Sequence, residues 1–76
     1  MVDLVKLRSA IDNHQLVAFD YVNKKGEATH RDRIEAYEIK SGFFYGFCPI
    51  HQQIHSFLIG SMANLTVYEE TFVPRW

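Results

Sequence analysis

The sequence predicts a mainly β domain, with one short N-terminal helix followed by five short strands wound into a small, strongly bent barrel. Three observations carry this. Apolar residues recur at helical spacing at Leu4, Leu7 and Ile11, whereas Val17, Phe19 and Tyr21 alternate with Ala18 and Asp20 as in a half-buried strand. Between Phe43 and Phe47 four of five residues are aromatic, and the apolar run from Ile54 to Ile59 follows after a short polar loop. Two such runs joined by a turn-rich loop read as a hairpin. Chains of 76 residues have room for one core, so residues 1–76 are taken as a single domain.

Each element has a local cause. Asp3 can cap the helix, and Asn13 and His14 end it, with Asn13 expected in the left-handed position. The helix is too short to stand alone in water, so its stripe must cover a sheet. Leu16 to Val22 forms the first strand. Asn23-Lys24-Lys25-Gly26 is a polar turn with glycine where positive φ is useful. Thr29 to Lys40 is a long strand, expected to bend near Ile34 and Glu35, because long strands of small barrels bend at bulges. Ser41-Gly42 starts the aromatic strand, and of Phe43, Phe44, Tyr45 and Phe47 three are expected in the core, with Tyr45 the exception. Gly60 to Ala63 is a short connection, and Asn64 to Tyr68 is the last strand, with Leu65 and Val67 facing in. Phe72 is expected to fold back onto the body before Pro74, Arg75 and Trp76.

Composition narrows the function. Eight basic and nine acidic side chains give a net charge of -1, so any attraction to nucleic acid or anionic lipid must come from a local patch. The single cysteine, Cys48, excludes an internal disulfide and fits a reducing compartment. No apolar run approaches a membrane span, and the amphipathic, charged N-terminus is unlike a signal peptide. The expectation is a soluble, cytoplasmic domain without membrane partners.

The order of a helix with Leu7 and Ile11, then Val17-x-Phe19-x-Tyr21, the Gly26 turn and Arg31 before an apolar strand resembles the WYL domain. Phe44-Tyr45-Gly46 falls where that family carries its Trp-Tyr-Leu signature. Ile54 to Met62 falls where it reads Arg-Thr-Phe-Arg-Leu-Asp-Arg-Ile, and Glu69, Glu70 and Phe72 sit where it often ends. The resemblance implies an Sm-like, SH3-type barrel. It also implies a bacterial regulator that senses a nucleotide or nucleic-acid ligand in transcription or phage defence, through the surface near Arg31, Tyr45 and His55. The chain departs from the family at its three basic positions, which are His55, Leu58 and Ser61 here. His55 can still donate to a phosphate, but Leu58 and Ser61 cannot replace an arginine fork. Gly46 in place of leucine opens space or allows a close backbone approach. With 15 residues before the first strand no helix-turn-helix is expected, so for a complete protein the resemblance implies a separate DNA-binding partner, or a barrel that acts by oligomerising or binding ligand alone.

Four residues are therefore candidates for ligand binding. Arg31 and Arg33 can hold phosphate as a bidentate pair, beside an aromatic that stacks a base; otherwise they are solvated arginines paired with Asp32, Glu35 or Glu38. Tyr45 is the candidate for stacking, and His55 for a second phosphate contact. The spacing Cys48-x2-His51-x3-His55 invites zinc, but with His30 distant the sequence offers no convincing fourth donor, and the expectation is no metal and no cofactor. A Cys48–His55 dyad lacks an oxyanion-hole element, and there is no phosphate-cradling glycine loop, so no enzyme is expected. Aromatic content of 14% is too high to be all interior in so small a chain, which points to a homo-oligomer. The competing reading is an interaction or oligomerisation barrel that has lost the basic ligand site.

Overall fold

Asp3 accepts hydrogen bonds from the backbone of Val5 (3.0 Å) and Lys6 (3.2 Å), the N-cap expected of it. The structure is a computed structural model describing residues 2–75; Met1 and Trp76 lie outside the described residues. Helix α1 spans Leu4–Asp12 and buries Leu7 and Ala10, with Leu4 on the rim. Asn13 and His14 end it as expected, but Asn13 N–H still donates to Ser9, so the left-handed residue is His14 (φ 53°) rather than Asn13 (φ −96°).

Five antiparallel strands follow, β1 Gln15–Val22, β2 Ala28–Lys40, β3 Phe43–Cys48, β4 Gln53–Leu58 and β5 Met62–Thr71, with a 3-10 turn at Ile59–Ser61. Their order across the sheet is β4-β3-β2-β1-β5. The helix and the five-stranded, strongly bent sheet are as the sequence predicts, but the sheet is open: its edges are β4 and β5, and the 3-10 turn carries the chain between them. The last strand begins earlier than expected because Met62 and Ala63 pair with Tyr21 and Asp20.

Bulges bend the sheet. In β2 the register against β1 slips by one residue between Phe19↔Arg31 and Val17↔Ile34, where Arg33 adopts φ 53°. A second slip in β2 lies between Ala36 and Glu38, and Asn64 (φ 54°) accompanies one in β5. The inner face of the bend carries the core: Val17, Phe19, Ile34, Phe44, Phe57 and Met62, closed by Leu7. Phe19 meets Phe44 and Phe57 edge-to-face, with centroids 5.9 and 5.0 Å apart.

The aromatic strand contributes less to this core than expected. Alternation sends Phe44, Gly46 and Cys48 inward, so Phe43 is exposed and Tyr45 and Phe47 are half-buried on the outer face. There the C-terminal tail folds back. Phe72 N–H donates to His14 (2.9 Å) and its ring packs on Tyr37, while Arg75 lies 4.5 Å over the Phe47 ring. Arg75 also binds both oxygens of Glu35, at 3.2 and 2.6 Å, and Glu35 is only 3% exposed. A buried carboxylate needs such partners, and the Tyr37 hydroxyl supplies another at 2.8 Å. Among the described residues no helix is long and apolar enough to cross a membrane.

Two carboxylates tie the neighbouring strands β1, β2 and β5 together. Asp20 accepts from Asn64 and lies 2.8 Å from His30 Nδ1, and Asp32 accepts from the Tyr68 hydroxyl. These hydrogen bonds hold both acids below their ordinary value of 3.8. A depressed carboxylate contributes stability that is present above 3.8 and is lost as pH falls through the lower folded value. The urea midpoint is therefore expected to hold on acidification to about pH 4 and to drop below it. Tyr68→Phe should make that drop shallower, and equal drops in the two proteins would refute the assignment to Asp32.

Candidate functional site

The bulge at Arg33 decides which arginine faces the core side. Arg31 pairs with buried Phe19, so it shares the inner face, and its guanidinium carbon lies 5.6 Å from the centroid of Phe57. Arg33 is turned away onto β5, where it forms an ion pair with Glu70 that holds it charged, and stacks 5.1 Å over Tyr68. The two arginines do not form a pair on one face.

His55 stands opposite Gly46, and this register places it on the same inner face as Phe44 and Phe57. Its ring is 6.1 Å from Phe57 and 5.4 Å from His51. Burial, followed by the charges of His51 and Arg31, holds its protonation below the ordinary 6.5. Arg31 and His55 are thus brought together around Phe57. Each also carries a buried nitrogen without a hydrogen-bond partner among the described residues, Nε of Arg31 and Nε2 of His55. Leaving such an atom unpaired costs roughly 1–3 kcal/mol, and natural interiors rarely leave one unexplained.

Tyr45 is not brought to this pair. It stands opposite Ser56 on the outer face, half-buried, one residue out of phase with Gly46 and His55. Gly46 does not open space either: a Cβ there would come within 2.5 Å of Ile34 Cγ2, so the residue serves close approach. Phe57 was missed as part of the site, although its spacing of two from His55 on one strand places both on one face.

A second cluster adjoins the first. Cys48 Sγ lies 3.6 Å from Nδ1 of His51, and the donor atoms of Cys48, His51 and His55 all fall within 4.8 Å of one another. No fourth cysteine, histidine or acid joins this group among the described residues; His30, the distant candidate, is held by Asp20. The Cys48 thiol is buried, which withdraws it from attack on a substrate.

Leu58 and Ser61 line a separate hollow of about 510 Å³ with Tyr21, Val22, Lys24 and Phe43. Comparison with protein-family models, with curated proteins and with solved structures finds no match.

Proposed function

We propose that the chain is a non-enzymatic binding module, resembling WYL domains, that takes an anionic group of a nucleotide or single-stranded nucleic acid between Arg31 and His55. The observation that supports this is the pair of buried, unpartnered nitrogens on those two side chains, gathered around Phe57. An anion bridging them would satisfy both, and charge-assisted contacts to guanidinium are the stronger kind. With Tyr45 on the other face, any stacking on a base falls to other rings. Arg33 is a rim residue at most, since Glu70 already engages it. The resemblance adds the setting of bacterial transcriptional or defence regulation in the cytoplasm, with a separate DNA-binding partner protein.

The test is binding of a nucleoside triphosphate and a short oligothymidylate at about 50 and about 200 mM salt. Arg31→Ala is expected to lower affinity at least ~10-fold at low salt, since a hydrogen bond to a charged group contributes ~1.5–3 kcal/mol. The variant should keep the wild-type circular dichroism, because Arg31 is not part of the apolar core. No binding of either probe at low salt would end this reading.

A second reading has its own support. Phe43 and Leu58 are paired across β3 and β4, and with Val22 they expose apolar surface around the 510 Å³ hollow at the sheet edge. That surface suits an interaction or oligomerisation barrel, including a homo-oligomer through the open edges. Sedimentation of the wild type against Leu58→Lys separates the two readings: a larger species lost in the variant favours the interface.

A further inference from the structure

We propose that Cys48, His51 and His55 form a transition-metal site, best suited to zinc, with three protein donors and one open position. The hairpin builds it. β3 and β4 pair as Cys48↔Gln53 and Gly46↔His55, which makes Cys48 and His55 diagonal neighbours on the inner face. Between them the chain turns tightly, with Gln52 N–H donating to Cys48 O (2.7 Å) and Gln52 itself left-handed at φ 52°. That turn folds His51 back over Cys48.

The spacing agrees with the chemistry. Zinc–sulfur bonds of ~2.3 Å and zinc–nitrogen bonds of ~2.0–2.1 Å, set at a tetrahedral angle, separate the two donors by about 3.5 Å. The observed separation of Cys48 Sγ and His51 Nδ1 is 3.6 Å. The remaining pairs lie within 4.8 Å, and His51 is exposed. Thiolate with two imidazoles is a donor set for zinc or copper rather than for magnesium or calcium. Three protein ligands leave the fourth position to water or to an oxygen of a bound molecule.

The claim does not rest on the anion reading, because the metal can be titrated with no anionic ligand present. Metal-free protein in a non-coordinating buffer would be titrated with cobalt(II), then with zinc(II). One equivalent should bind, giving a thiolate-to-cobalt charge-transfer band and the intense visible bands of four-coordinate cobalt, and zinc should displace it. Cys48→Ser should lose the charge-transfer band. Because Cys48 lies in the core, His51→Ala is the safer variant, and it should weaken zinc binding by more than the ~10–100-fold that a lost outer hydrogen-bond partner costs. Arg31→Ala should keep the thiolate-to-cobalt band. Pale, six-coordinate cobalt without a thiolate band, or unchanged zinc affinity in His51→Ala, would overturn the proposal and leave the Arg31 prediction standing.

Discussion

Phe19→Ala is expected to destabilise the domain by about 3–5 kcal/mol, the range for emptying a buried phenylalanine site. Phe19 has no exposed surface, lies on the strand that pairs with both β2 and β5, and touches Phe44 and Phe57 edge-to-face. A domain of this size has only about 4–11 kcal/mol in total, at roughly 0.05–0.15 kcal/mol per residue. The loss is thus a large fraction of the total, and the urea midpoint should fall steeply. Phe19→Leu should retain a cooperative transition at a lower midpoint. A wild-type midpoint in Phe19→Ala would mean that the core is not organised around this ring.

The second large effect is expected at Gly46. Gly46→Leu should destabilise the chain, because a Cβ would approach Ile34 Cγ2 to 2.5 Å, Glu35 O to 3.1 Å and Phe44 Cε2 to 3.1 Å. The Ile34 methyl can shift, but the Glu35 carbonyl belongs to the paired β2 backbone and cannot move without disturbing the ladder. Overpacking of this kind costs about 1–3 kcal/mol, and leucine should fall at the upper end or beyond. Ile34→Ala combined with Gly46→Leu should recover part of the loss, since the two positions share the same space. Denaturant midpoints of the single and double variants measure this coupling. Strict additivity would contradict the packing described here.

Features that depend on local chemistry were legible in the sequence. Asp3 as a cap, the Gly26 and Gly42 turns, and the alternation of Val17, Phe19 and Tyr21 all follow from residue type and spacing. The bulges were harder, because residues other than glycine carry them. Arg33 and Asn64 take positive φ under tertiary pairing, and the sequence marks neither with glycine. The expectation of a bend near Ile34 was sound, yet only the register shows that it separates Arg31 from Arg33. Counting aromatics overestimated the core because strict alternation turns Phe43, Tyr45 and Phe47 outward. The burial of Glu35 had no local signal either, since its partner Arg75 lies forty residues away in the chain. The histidine and cysteine spacing was visible, but their convergence depends on the left-handed Gln52 and on the β3–β4 register.

The central claim is that Arg31 and His55 together receive an anion. It is tested most directly by nuclear magnetic resonance on the labelled protein, following the Arg31 Nε–H and the His55 ring nitrogens while inorganic phosphate and then a nucleoside triphosphate are added at low salt. Saturable shifts concentrated on these two side chains and around Phe57, and diminished at high salt, are the predicted result. Shifts confined to the outer face around Tyr45, or none at all, would contradict it.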